Sequence, residues 1–264
     1  MNAPLSSVSE LTPEQTYEQV SRVTHEVAGR LAQRLRQETQ GEVGFTAGDR
    51  ARYATDASIY QVMPVGVFVP RTAEDVGVAL DICRDLEVPI VPRGGGTSQC
   101  GQTVGVGLVI DHSKHVRRLL DVDAEQATAV VEPGLVLDHL NAELKRHRLW
   151  FPVDVSTSAQ ATLGGMAGNN SCGSRSIAYG NMVHNVLGAQ AWLSDGSLID
   201  WGPHALSMGR AREIGDFLRQ LATRLAPDIE AHVPKVLRRV AGYNLDIFHN
   251  QNPRPYTDDG SVNL

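Results

Sequence analysis

The sequence predicts an α+β fold in two lobes, and three observations carry that prediction. Short apolar runs of strand length alternate with segments whose apolar residues recur every three to four positions. Clusters of Gly, Pro, Asn and Asp separate them, as turns between such elements require. The chain has 264 residues, enough for one large domain or two small ones around a sizeable core.

The elements follow in order. Tyr17, Val20, Val23, Val27, Leu31 and Leu35 trace one helical face, with Arg and Gln opposite, and Gly41 and Gly44 end the helix. Residues 1–50 are therefore expected to form an N-terminal helical extension packed on a main domain, residues 51–264. VGVFVP (65–70) reads as a strand. Thr72 then caps a helix, with Asp75 as its capping-box partner and Val76, Ala79, Cys83 and Leu86 as the inner stripe. VPIVPR (88–93) is a second strand, the run around Leu108–Ile110 a third and ATAVVEPG (127–134) a fourth. Leu137, Leu140 and Leu144 mark a helix, followed by an expected return strand at LWFPVD (149–154). Apolar alternation around Asp195-Gly196 predicts a hairpin with a two-residue turn. Ile214, Phe217, Leu218, Leu221 and Leu225 predict one more helix, and the polar end 250–264 reads as loop.

Composition narrows the function. Hydrophobic residues make up 42% and charged residues 20%, the balance of a folded chain. Thirty acidic against 24 basic side chains give −6, which opposes a nucleic-acid partner because phosphate binding needs a basic footprint. No apolar run spans a membrane and the first ten residues lack the signature of a signal peptide, so the expected compartment is the cytoplasm. Cys83, Cys100 and Cys172 form no CxxC pair, which excludes a zinc or iron–sulfur site of the usual spacing. With 25 glycines and only 5% aromatics, the chain favours tight turns and backbone laid close to a ligand.

Two glycine clusters carry that expectation. Pro92-Arg93-Gly94-Gly95-Gly96-Thr97-Ser98 follows a strand directly. Successive glycines can turn several N–H groups into one concavity, a nest for a pyrophosphate, with the Thr97 and Ser98 hydroxyls as added donors. A P-loop is excluded by the missing Lys-Ser/Thr, and a dinucleotide fingerprint fails because Ile110 stands where Gly105 and Gly107 would need a third glycine. The second cluster runs from Ser156, Thr157 and Ser158 through Thr162, Gly164 and Gly165 to Asn169, Asn170, Ser171, Cys172 and Gly173. Its small side chains could lie against a flat ring system while offering backbone and Asn/Ser hydrogen bonds.

In order along the chain, YATDAS, the strand ending VPR, TAEDV, VPRGGGTS, VVEPG, TLGG…NNSCG, YGN…NVLG and SDGS resemble the FAD-binding domain of the vanillyl-alcohol oxidase/p-cresol methylhydroxylase type of FAD-linked oxidase. The resemblance spans about Tyr53 to Asn244 and is nearest to the D-2-hydroxyacid branch: glycolate oxidase flavin subunits, D-lactate dehydrogenases and D-2-hydroxyglutarate dehydrogenases. It implies a two-lobed PCMH-type FAD-binding domain. Arg93 to Ser98 would wrap the FAD pyrophosphate. Ser156 to Thr162, Gly164, Gly165 and Asn169 to Gly173 would line the flavin and ribityl chain. Tyr179 and Gly180 would sit near second-lobe contacts, and the Val186 backbone would meet adenine. Many relatives tether FAD through a histidine after two glycines; Thr97 stands there, so the flavin is expected to be non-covalent.

The same resemblance implies what this chain leaves out. Relatives continue past GYNLD (242–246) into another glycine-rich flavin turn, then a cap domain with the catalytic histidine and the arginines that hold a substrate carboxylate. The chain is thus expected to be a C-terminally truncated fragment that holds FAD weakly or not at all by itself. The 2-hydroxyacid would be read by the absent cap, and any iron–sulfur cluster would belong to an absent C-terminal part. Quinone, iron–sulfur centre and cytochrome all stay open as electron acceptor, and peripheral membrane association of the parent enzyme is compatible with this picture. His112, His115, His139, His147, His184, His204, His232 and His249 are the candidate bases within the chain, His184 foremost, and Arg238 and Arg239 candidate substrate-side cations. The alternative reading is a non-catalytic flavin-binding module or accessory subunit of a flavoprotein complex.

Overall fold

The computed structural model of the chain describes residues 25–202, 209–236 and 244–248. Tyr17, Val20, Val23, His204, Arg238, Arg239, His249 and the tail 250–264 lie outside the described residues. The chain divides between His115 and Val116 into two compact units.

The first unit is a four-stranded sheet in the order β1-β2-β4-β3. Strand β1 (Glu42–Gly44) is antiparallel to β2 (Gly66–Val69), while β3 (Ile90–Arg93) and β2 both run parallel to β4 (Leu108–Asp111). Every residue of β2 and β4 is buried, as their continuous aliphatic runs require of parallel strands covered on both faces. Phe68, Leu108 and Val109 are fully buried. Helix α1 (His25–Glu38) buries Leu31, Ala32 and Leu35 and packs on β1, β2 and helix α3 (Ala73–Asp85). A short helix α2 (Ala47–Ala51) carries the reciprocal Thr46/Asp49 capping box. Gly41, expected only as a helix stop, lies where any Cβ would collide with the Phe68 ring, and Gly44 belongs to β1, a strand the sequence pattern does not signal.

The cap of α3 differs from expectation in its second half. The Thr72 hydroxyl accepts from the Asp75 N–H at 3.2 Å, but the Asp75 carboxylate does not return to Thr72. It accepts instead from Arg71 N and Gln40 N, both at 2.9 Å, and so ties the end of α1 to the start of α3. An acid also anchors the edge strand. Glu42 accepts from Lys114 Nζ at 2.6 Å and pairs with His115 Nε2 at 2.8 Å, and these partners hold its carboxyl down at about 2. A depressed carboxyl stabilises the folded state above its unfolded value and loses that contribution as pH falls through the folded one. Because the side chain is 41% exposed, solvent screening limits the effect to about 1 kcal/mol or less. Glu42→Gln should therefore lower the urea midpoint at pH 6 slightly, and the difference from the parent should vanish as pH is taken from about 4.5 towards 2.

The second unit opens with a hairpin of β5 (Leu119–Asp123) and β6 (Thr128–Val131), antiparallel with an irregularity between Leu119 and Asp121. Strand β5 is absent from the sequence reading because its Asp residues and half-exposed surface hide the apolar signal. Helix α4 (Leu137–Leu144) follows as expected, with Leu137, Leu140 and Leu144 buried. They share a core with Leu135, Val153, Ala161, Leu163, Met166 and Met182. Residues 149–154 correct the expected return strand: they form no ladder. Arg148 turns the chain at φ 57°, Phe151 N–H donates to the Asn141 side chain at 2.7 Å and Val153 inserts into the core. Helices α5 (Leu163–Gly168), α6 (Ser176–Tyr179) and α7 (Met182–Asn185) come next, then a hairpin of β7 (Gln190–Trp192) and β8 (Leu198–Asp200).

That hairpin has a three-residue turn, not the expected two. Leu193 and Ser197 face each other across Ser194, Asp195 and Gly196, with Gly196 at φ 84° and its N–H donating to Leu193 O at 3.0 Å. Helix α8 (Gly209–Arg224) is present but buries Ala211, Gly215 and Ala222, while Phe217 of the expected stripe is exposed; α9 (Ala226–His232) follows. In the β5–β6 turn Ala127 sits at φ 52°, a left-handed conformation that costs a residue with a Cβ about 1–2 kcal/mol. Ala127→Gly should raise unfolding stability by roughly 0.5–1 kcal/mol after the entropy cost of glycine, read as a higher urea midpoint at unchanged slope.

Candidate functional site

The glycine-rich loop leaves the carboxyl end of β3, the side of a parallel sheet where ligands bind in open α/β folds. Pro92 and Gly95 are exposed, and Arg93, Gly94, Gly96, Thr97 and Ser98 half-buried. Among the described residues, the N–H groups of Gly94, Gly95, Gly96 and Thr97 donate to no other group of the chain. A run of four unengaged N–H groups beside two hydroxyls is chemically suited to an anion such as a pyrophosphate. Of the three glycines only Gly96 takes a positive φ, 65°, so the nest depends on one left-handed residue and not on all three. A Cβ at Gly96 would lie 2.5 Å from Arg93 Nη2, since the guanidinium sits directly behind it.

The loop is held from outside. Ala57 N–H donates to Gly96 O at 3.0 Å, and the Thr103 hydroxyl donates to Asp56 Oδ2 at 2.8 Å. The Ser98 hydroxyl donates to Gln102 Oε1 and accepts from Cys100 N–H at 3.3 Å. Tyr53, Thr55, Asp56 and Thr103 thus support the loop although the sequence reading assigned them no role. The signal was available in YATDAS, whose polar residues have no helical or strand period to serve.

The second cluster is folded, not a linker. Gln160 and Ala161 N–H groups return to Thr157 O at 2.9 and 2.8 Å, and Asp138 N–H donates to Ser158 O at 3.2 Å, while Ser156 is exposed. Residues Ala161–Leu163 pair with Leu135–Leu137 around the Val136–Thr162 bridge. Thr162 is buried and its hydroxyl accepts from Gly165 N–H at 3.4 Å, capping α5. Two glycines serve close internal packing: Gly164 lies against Pro133 and Gly173 against Asp154, where a Cβ would meet the carboxylate and the backbone. Gly165 and Asn169 are exposed. Asn169 Nδ2 donates to buried Ser171 at 3.1 Å, and Asn170, at φ 44°, accepts from Val183 N–H at 3.1 Å. Cys172 is half-buried.

Further along, Tyr179 is half-exposed and meets Trp150 edge-on with centroids 5.3 Å apart. Gly180, at φ 81°, sits over the His184 ring, and Val186 packs on the core of this unit. His184 Nδ1 accepts from Asn181 N–H at 2.7 Å, which makes that ring nitrogen part of the α7 cap. His112 is held neutral to lower pH than an ordinary histidine, chiefly by burial. His115 pairs with Glu42, His139 is exposed, and His232 contacts Asp228 O. Arg146 Nε donates to His147 Nε2 at 3.2 Å. No helix among the described residues is long and apolar enough to cross a membrane.

Comparison with known proteins agrees with this architecture. The chain is 37% identical over 220 residues to D-2-hydroxyglutarate dehydrogenase of Pantoea ananatis, covering 78% of itself and 22% of that protein. It is 35% identical to the enzyme of the same name from Escherichia coli K12 over 81% of itself and 22% of the relative. Glycolate oxidase subunit GlcD of Bacillus subtilis is 37% identical over 58% of this chain and 33% of that one. The chain thus spans about a fifth of the length of the dehydrogenases it matches. Among solved structures, alkyldihydroxyacetonephosphate synthase superposes with TM-score 0.61 at 18% identity over 70% of this chain and 37% of that one. p-Cresol methylhydroxylase superposes with TM-score 0.57 at 19% identity over 68% of this chain and 36% of that one, a likeness of fold. The family described as FAD binding domain matches residues 64–202, more than half of the sequence, and the chain belongs to it.

Proposed function

We propose that this chain is the flavin-holding part of an FAD-dependent oxidoreductase that oxidises a D-2-hydroxyacid, with D-2-hydroxyglutarate the first substrate to test. The observation that carries it is the row of unengaged N–H groups from Gly94 to Thr97 in a chain of the FAD binding domain family. The substrate class rests on the names of the relatives, D-2-hydroxyglutarate dehydrogenase and glycolate oxidase subunit among them. Bound FAD would accept the C2 hydride of the hydroxyacid while a base takes its hydroxyl proton, leaving the 2-oxoacid.

The chain's own contribution is binding and orientation. Gly94, Gly95, Gly96 and Thr97 donate to the pyrophosphate, and Ser98 adds a hydroxyl when it turns away from Gln102. Ser156, Thr157, Ser158, Thr162, Gly164, Gly165 and Asn169 to Gly173 are assigned to the flavin and ribityl chain, and Tyr179, Gly180 and the Val186 backbone to its other contacts. In this assignment exposed Gly165 lets a ring approach closely and exposed Asn169 presents an amide, whereas Gly164, Gly173 and Thr162 act by fixing the segment's shape. Thr97 has no nucleophilic ring nitrogen, so attachment is non-covalent.

Titration with FAD of the protein expressed from its whole reading frame, followed by quenching of flavin fluorescence, tests the binding half. Saturable one-to-one binding is expected, and no saturation at millimolar FAD would overturn the reading. Acid precipitation of the complex should leave all the flavin in the supernatant. Flavin bleaching by D-2-hydroxyglutarate, but not by its L-enantiomer, in the protein expressed from its whole reading frame tests the substrate.

A further inference from the structure

We infer that Arg93 is the positioning residue of the glycine-rich loop: its guanidinium fixes the loop from behind and leaves an un-neutralised positive charge beneath the row of free N–H groups. The inference rests on the FAD reading above and adds to it a residue that acts through the loop.

Arg93 ends β3 and its side chain turns back under the loop that follows. Nη2 donates to Thr55 O at 2.9 Å and Nη1 to Thr103 O at 3.1 Å. One carbonyl belongs to the YATDAS segment and the other to the far end of the loop, so a single planar group spans both. The guanidinium carbon lies 5.7 Å from the centroid of the Tyr53 ring. Tyr53 is itself fixed, donating to Asp111 Oδ2 at 2.7 Å, and Asp111 is the register partner of Arg93 across the β3–β4 ladder. The proton of that phenol is bound more tightly than usual, through burial first and the Asp111 carboxylate second. The platform under the guanidinium therefore stays neutral and rigid.

Two properties follow from the partners. Carbonyl oxygens orient a guanidinium without neutralising it, and among the described residues no carboxylate forms an ion pair with Arg93. The full charge therefore stands beside Gly96, where a Cβ would meet the guanidinium at 2.5 Å. The fork geometry is also specific to arginine, because a lysine ammonium keeps the charge but cannot hold two carbonyls in one plane.

Arg93→Lys is the informative variant, with Arg93→Ala as its companion. Both are introduced into the protein expressed from its whole reading frame and compared with the parent by FAD titration and by amide hydrogen exchange without ligand. For Arg93→Lys we expect FAD affinity to fall about tenfold, the scale of one lost charge-assisted hydrogen bond. Exchange in the ligand-free protein should quicken at residues 94–103 and stay unchanged in β2 and β4. Parent-like FAD affinity in Arg93→Lys would overturn the inference, since charge alone would then suffice. Weakened FAD binding with unchanged loop exchange would overturn it in favour of direct ligand contact, and faster exchange throughout the first unit would reduce Arg93 to fold support. If the parent protein expressed from its whole reading frame fails to bind FAD, the functional reading fails, whereas the ligand-free exchange comparison still decides whether Arg93 positions the loop.

Discussion

Gly96→Val should lower FAD affinity by at least about a hundredfold, more than any other single change in the loop. Two costs combine. The backbone at Gly96 has φ 65°, where a β-branched residue is a genuine outlier. The new Cβ would also meet Arg93 Nη2 at 2.5 Å and Cζ at 2.9 Å. Relief requires either a flipped loop, which scatters the four N–H groups, or a displaced guanidinium, which frees Thr55 O and Thr103 O. Each route dismantles the proposed anion site while β2 and β4 stay intact, so the urea midpoint should shift little. Gly29→Ala is the matched control: a Cβ at Gly29, within α1, has nothing within 4 Å. It should leave FAD affinity unchanged and add about 0.5–1 kcal/mol of stability.

The second large effect lies in the core. Phe68→Ala should destabilise the first unit by about 3–5 kcal/mol, a large part of the 5–15 kcal/mol typical of a whole domain. Phe68 is fully buried at the middle of β2, and its ring lies against the α-carbon of Gly41. Backbone on that side cannot move in to refill the space without breaking the β1–β2 ladder, so the cavity persists. Phe68→Leu should cost less, about 1–1.5 kcal/mol. Chemical unfolding followed by near-ultraviolet circular dichroism ranks the two. Equal effects would mean that the site collapses freely.

Much of this structure was legible in the residues, for physical reasons that can be named. Strands β2 and β4 have unbroken aliphatic runs, α3 has Thr72 and α4 has three leucines at helical spacing. Where the pattern was silent, tertiary contacts decide. Strand β1 is three residues long and exists through its pairing with β2, and β5 is half-exposed and carries aspartates. Residues 149–154 look like a strand because Leu149, Phe151 and Val153 alternate, yet Pro152 denies the ladder an N–H and only Val153 enters the core, with no partner strand beside the segment.

The glycine loop shows the same division. That it suits an anion could be read from Gly94 to Ser98, but that only Gly96 needs a positive φ could not. Nor could the bond from Arg93 to Thr55, 38 residues away in sequence. In the second cluster, smallness of side chain has two meanings that sequence cannot separate. Gly164 and Gly173 are small because Pro133 and Asp154 press on them, whereas Gly165 is exposed and a Cβ there would meet only the Thr162 hydroxyl, at 3.1 Å.

The strand order β1-β2-β4-β3 has a consequence for how the protein assembles during synthesis. Strand β4 is the last of the four to leave the ribosome, yet it occupies the position between β2 and β3. Neither neighbour can complete its ladder until residue 111 has emerged. The connection that delivers β4 is the glycine-rich loop itself, residues 94–107, a crossover between adjacent parallel strands that contains no helix. The segment proposed to hold the pyrophosphate is therefore also the connection that brings β4 into the sheet. A cut within it in the nascent chain would sever β3 from β4 before either could pair.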